Sequence, residues 1–391
     1  MIMKKLSVSL LLLSVGSTAF AGGTFVTQYT FPALSGASST GAYPEWELVQ
    51  RTGTTELYGV APKGGTLGGG TLYKTGTSGT LTVIRNFGAS GDINGSRPNG
   101  PVLNYSGSLY GVTLLGGSNN AGVLYRWNPS TGYKRLYSFG TGTSGASPSG
   151  QLLLANDGNI YGVTTSGGAC GNGTVYRFVV STGAVTNLHS FCGDEGVAPL
   201  TGVIQATNGS LYGTAYNGGT FDRGTLYKLS LAGAFSRLHS FGSVESAPRF
   251  PARLTQGKNG LLYGASWGGG FMGVGTIFSS TLTGSVTVQA EMGLGDSDLQ
   301  NPSKNAALLE KFTGVFYGVS YANGGSVYQF RASTKAVSLI HSFGGWSPGW
   351  PLAGLTVGPD GNLWGNTTDG EVINFPRYGA IYDIENLVAN P

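Results

Sequence analysis

Apolar and polar positions in this chain alternate over short runs, and nowhere do they settle into the 3.6-residue spacing of an amphipathic helix. Thr24 to Phe31 is the first such run, with Phe25, Thr27, Tyr29 and Phe31 on one side of a predicted strand. The clearest is Asp157-Gly158-Asn159-Ile160-Tyr161-Gly162-Val163-Thr164, followed by Gly167-Gly168 and Gly173-Thr174-Val175-Tyr176. Its aromatic-Gly pair returns at Tyr58-Gly59, Tyr110-Gly111, Tyr212-Gly213, Tyr263-Gly264, Tyr317-Gly318 and Trp364-Gly365. The aromatic positions are 52, 51, 51, 51, 54 and 47 residues apart. A period near 50 over the length of a chain marks a propeller or a solenoid.

Each unit has the same four parts. A proline opens it (Pro44, Pro98, Pro148, Pro199, Pro251, Pro302, Pro351), and a short apolar strand follows, such as Leu152-Leu153-Leu154 or Val203-Ile204. An Asp-Gly or Asn-Gly turn supplies the positive φ of a tight hairpin. The second strand carries the aromatic-Gly pair. A mid-strand glycine weakens a strand, so its return in every unit predicts close approach of another group. A Gly-rich loop leads to a third strand, as in Gly224-Thr225-Leu226-Tyr227, and a short turn to a fourth, as in Leu188-His189-Ser190-Phe191. Four antiparallel strands make one blade. The reading is all-β: a seven-bladed β-propeller forming one domain over 22–391. Thr24–Phe31 and Ala380–Leu387 both read as fourth strands of the last blade, one of them surplus; the N-terminal one is favoured for closing the ring.

Composition adds a compartment. Lys4 and Lys5, the apolar run Leu6 to Val15 and Ala19-Phe20-Ala21 read as a signal peptide over 1–21, cleaved after Ala21, giving a secreted or periplasmic protein. The apolar run is too short to span a bilayer, so no membrane span is expected after cleavage. The rest has 20 basic and 18 acidic residues and no basic stripe, which argues against nucleic acid as partner.

The units resemble the GloVer tandem repeat of exported proteins, on Tyr161-Gly162-Val163-Thr164, Gly167-Gly168, Gly173-Thr174-Val175-Tyr176 and Leu188-His189-Ser190-Phe191 with six sister copies. The resemblance implies an exported repeat protein and supplies no activity or site residues. Members carry varied C-terminal anchors, whereas Glu385 to Pro391 has no hydrophobic tail. A weaker similarity in strand and turn order is to NHL-type propellers.

Catalytic chemistry finds little support. His189, His239 and His341 share one repeat slot, with Asn86, Tyr137 and Glu291 read into it elsewhere, so the ring holds them apart and they read as framework. Cys170 and Cys192 sit at the spacing of an intra-blade disulfide in an exported chain. The predicted inner strands almost lack acids; Glu45, Glu47 and Glu310 are the exceptions. Asp296-Ser297-Asp298 lacks the glycine and distal glutamate of a calcium loop. No catalytic residue, metal or cofactor is called for.

Tight 1–2 and 3–4 turns put the long 2–3 and 4–1 connections together on the opposite face, where function tends to sit. Tyr216, Phe221, Trp267, Phe271, Trp346 and Trp350 are the candidate binding residues there, with Asp222, Arg223 and Arg249 nearby. The expectation is a monomeric, non-enzymatic binding module for a glycan or a surface protein. A carbohydrate hydrolase or lyase with its site in the channel mouth is the rival reading, and a structural surface scaffold the third.

Overall fold

The computed structural model describes residues 23–32, 40–140, 142–344, 349–368 and 379–387. The predicted signal peptide, 1–21, and Trp346 lie outside them. Seven sheets of antiparallel strands stand in a ring. Blade 3 runs Ala146–Leu154, Ile160–Ser166, Thr174–Phe178 and Val185–Ser190, paired in chain order. Blade 4 repeats it with Val203–Gln205, Leu211–Ala215, Thr225–Leu229 and Phe235–Ser240. First strands of adjacent blades touch one another, so they line the axis. In blades 2 and 5 the first strand is broken in two, Ser96–Pro98 with Leu103–Tyr105 and Arg249–Pro251 with Thr255–Gln256.

The recurring glycine has the predicted physical cause. Gly162 faces Tyr176 on the third strand, and a Cβ on Gly162 would overlap the Tyr176 ring and hydroxyl. The same cross-strand pair recurs in all seven blades, with Phe278 over Gly264 in blade 5. An aromatic lying flat across a strand glycine restores the packing the missing side chain forfeits. Leu152 of the first strand closes on the same spot.

The opening prolines join the blades. Pro199 Cδ of blade 4 packs on Gly173 of blade 3, and Pro251 does the same on Gly224. A side chain at either glycine would strike the proline, and both have φ near +100°. The residue before each opening proline is left-handed: Tyr43, Arg97, Ser147, Ala198, Phe250, Asn301 and Trp350 have φ between 52° and 59°. Its N–H reaches back to the preceding blade, as Phe250 donates to the Arg223 carbonyl and Asn301 to that of Val274. A residue before proline favours extended backbone. The inter-blade hydrogen bond holds it elsewhere.

Closure corrects one expectation. Thr24–Thr30 is indeed the fourth strand of the last blade, paired to Ala380–Glu385. Ala380–Glu385, however, is its third strand, beside Leu363–Thr367, with Tyr382 over Gly365. Gly379-Ala380-Ile381-Tyr382 carries the third-strand signature, so neither strand is surplus.

The outer slot also needs correcting. Arg85 and Ala290, not Asn86 and Glu291, face the third strand where His189 does. The histidines are framework: His189 stacks on Phe235 of the next blade at 3.8 Å and His341 on Phe25 at 3.9 Å. Arg85 lies over Tyr133 in the same way. Cys170 and Cys192 form the predicted disulfide, tying the blade 3 Gly-rich loop to the end of its fourth strand. No described helix is long and apolar enough to cross a membrane.

Candidate ligand site at the channel mouth

The 2–3 and 4–1 connections meet on one face, as the hydrogen bonds from the pre-proline residues to the preceding loops show. At the axis of that face is a cavity of about 360 Å³. Residues just after the opening prolines line it: Glu45 and Trp46 from blade 1, Asn99 from blade 2, Ser149 from blade 3, Leu200 from blade 4 and Lys304 from blade 6. Leu114 and Thr165, at the exits of two second strands, with Asn305 of blade 6 and Leu352 of blade 7, complete the wall. Six of the seven blades contribute one or two side chains each, so the site exists only in the closed ring.

Deeper on the axis, Glu47 and Arg253 form an ion pair with both side chains more than 90% buried. They belong to blades 1 and 5, which are not neighbours, so the pair crosses the axis. Gly354 of blade 7 lies against it, with the Glu47 carboxylate 3.5 Å and the Arg253 guanidinium 3.7 Å from where its Cβ would be. The pair forms a charged floor under the mouth.

Several buried polar atoms on the lining residues or on their chain neighbours have no hydrogen-bond partner among the described residues. The Trp46 indole N–H, the Thr201 hydroxyl and one Glu47 oxygen are all buried in that condition. Buried polar groups are nearly always satisfied, so each orphan calls for an explanation. Burial pushes the Glu45 carboxyl above its ordinary value, and the nearby cations Lys63, Lys304 and Arg97 pull it partway back. No described carboxylate is in ion-pair contact with any of these three cations.

The predicted aromatics divide. Tyr216 and Trp267 belong to one cluster, centred on Phe250: Tyr216 stacks on Phe250 at 5.2 Å and Trp267 meets it edge-on at 6.3 Å. Arg223 lies over the Phe250 ring, and Lys304 lies 5.8 Å from the Tyr216 ring, linking cluster and cavity. Trp350 stacks instead on Tyr321, across the joint between blades 6 and 7. Phe221 and Phe271 make none of these contacts and stand out at 43% and 83% exposure. Arg249 is paired with Glu245, and Asp222 caps its own loop through the Gly218 N–H.

Phe250 and Lys304 were not anticipated from the sequence. The signal for Phe250 was its place before Pro251, which carried no expectation of a left-handed backbone. The remaining acids are committed. Glu310 accepts the N–H groups of Lys258 and Gly314, so it caps turns. Asp298 accepts the Ser342 hydroxyl, and no group of three metal-ligating side chains occurs among the described residues.

Comparison with known proteins agrees with the fold. No curated protein matches the chain. The extracellular domain of a hybrid two component system from B. thetaiotaomicron superposes with TM-score 0.56 at 11% identity, covering 92% of this chain and 39% of that one. A Bacteroides uniformis protein described as a 6-phosphogluconolactonase gives TM-score 0.51 at 14% identity, covering 75% and 83%. TolB from Acinetobacter baumannii gives 0.43 at 17%, covering 68% and 58%. The chain therefore spans less than two thirds of both TolB and the two-component domain. At these identities the likeness is one of fold. The sequence itself is more specific: residues 89–259 match the model of the Gloeobacter/Verrucomicrobia repeat. Residues 89–259 carry that repeat, within a seven-bladed propeller.

Proposed function

We propose that this is an exported, non-enzymatic binding module whose ligand, a saccharide, seats in the channel mouth. One observation carries the reading. The closed ring creates a cavity of about 360 Å³, lined by polar and apolar side chains alike, above a charged floor and within the 300–1,000 Å³ of small-ligand sites. The unpartnered indole N–H of Trp46, a residue of its wall, suits a sugar hydroxyl, and the Tyr216, Phe250 and Trp267 cluster, which Lys304 links to the cavity, suits a sugar ring.

Export is supported by the disulfide, since such bonds persist in oxidising compartments. The rival hydrolase reading needs two acids held some 5 to 10 Å apart with freedom to act. Glu47 is tied to Arg253 and Glu310 caps turns, which leaves Glu45 as the one acid lining the mouth among the described residues.

A glycan array on the mature protein tests the proposal, with Trp267→Ala and Lys304→Gln beside it. Binding by the wild type and loss of signal in Lys304→Gln are expected. No binding, or binding indifferent to both changes, refutes it.

A further inference from the structure

Along the rim, neighbouring blades meet through two fixed positions, as His189 of blade 3 meets Phe235 of blade 4. His189 faces the second residue of its own third strand, and Phe235 faces the fifth residue of the next one. Six joints place a ring at one or both positions, supplied by Tyr133, Tyr137, His189, His239, His341 and Tyr29. The joint between blades 5 and 6 has Ala290 and Val337 there instead. Both line a cavity of about 200 Å³, and Met292, Leu294 and Leu299 complete its apolar wall. The cavity therefore lies at the place where every other joint carries a ring.

Its size and surroundings indicate what fits. An apolar cavity of about 150 Å³ takes a benzene ring, whereas small-ligand sites begin near about 300 Å³. This one has room for a single ring, and the rest of its occupant must lie on the surface around it. That surface is apolar. Leu294, on the wall, is 60% exposed, and Phe271 and Met272 stand out at 83% and 55%. Glu291, also on the wall, accepts the Phe271 N–H at 3.0 Å, which keeps that loop tip at the rim. Glu291 and the exposed Lys335 add an acceptor and a donor to the lining, matching the N–H and C=O of a main chain. An aromatic side chain sunk in a pocket is the usual anchor of a protein interface. We infer that this joint is a docking site for a polypeptide partner, which seats one aromatic side chain between Ala290 and Val337 and lays its flanking residues over Phe271, Met272 and Leu294. The site is separate from the channel mouth and does not rest on the saccharide reading.

Panning a displayed library of short random peptides on the mature protein tests this. The enriched sequences are expected to share one aromatic position. A synthetic peptide from that set should lose at least tenfold in affinity when its ring is replaced by alanine, and as much against Leu294→Asp. Ala290→His combined with Val337→Phe rebuilds the His189–Phe235 pair inside the cavity. It should abolish binding without lowering the melting temperature. Leu294→Asp, at an exposed position, gives its answer whether or not the double variant folds. No enriched sequence, enrichment without a shared ring, or wild-type affinity in either variant overturns the site. Calorimetric titration with p-cresol separates the source of the ring: binding as tight as the peptide's overturns the polypeptide occupant.

Discussion

Pro44 packs on Gly379 as Pro98 packs on Gly70, so the joint between the last blade and the first is the same joint that links consecutive blades. The ring is closed twice over, by this contact and by the Thr24–Thr30 strand. Phe25 on that strand stacks on His341 and meets Phe343 and Tyr382. Phe25→Ala should cost about 2–4 kcal/mol, toward the lower end of buried-Phe truncations because the ring is part exposed. Denaturant unfolding measures it. A loss below about 1 kcal/mol would mean the strand contributes little to closure.

The glycine-aromatic pair makes a second prediction. Gly162→Ala forces the new methyl into Tyr176 and should destabilise by about 1–3 kcal/mol. Tyr176→Phe should instead be neutral or stabilising, because the Tyr176 hydroxyl is buried without a hydrogen-bond partner and blade 5 already uses Phe278. Thermal melts of the two variants decide it; a strongly destabilised Tyr176→Phe would show that the hydroxyl is satisfied.

The Glu47–Arg253 pair is a structural floor, and its behaviour should separate it from a catalytic acid. Glu47→Gln leaves Arg253 buried and unpaired, at a cost of about 3–5 kcal/mol. The double variant Glu47→Leu with Arg253→Met should recover most of that loss. Unfolding free energies of the set measure the coupling, and a Glu47→Gln protein of wild-type stability would contradict the assignment.

Burial holds His189, His239 and His341 below the usual histidine value of 6.5, Glu195 opposing this for His189. A depressed value means the fold prefers the neutral ring. Stability from these sites is therefore complete above pH 6.5 and declines as pH falls through the lower folded-state values. His341→Phe keeps the stack on Phe25 and removes one titration. Its melting temperature should fall less than that of the wild type between pH 7 and pH 5. Parallel curves would rule the mechanism out.

The blade architecture was open to sequence reading because its causes are local. Gly162 needs its aromatic, Asp157-Gly158 its turn, and both repeat on a fixed period. Ala380–Glu385 was misassigned because it follows Trp364 at a longer spacing than Thr174 follows Tyr161, although Gly379 and Tyr382 carried the right signature. The mouth was hidden for a different reason. Glu45 and Lys304 lie far apart in the chain and interact only once seven blades have closed. Phe250 precedes a proline, where local rules favour extended backbone; an inter-blade hydrogen bond overrides them.

The central claim is that the mouth is the ligand site, and filling it is the direct test. Leu200 lines the cavity and is not among the residues proposed to recognise the ligand by charge or stacking. Calorimetric titration of the best saccharide from the array into Leu200→Trp should show affinity reduced tenfold or more at an unchanged melting temperature. Wild-type affinity in that variant, with the cavity filled, would place the ligand elsewhere and contradict the account.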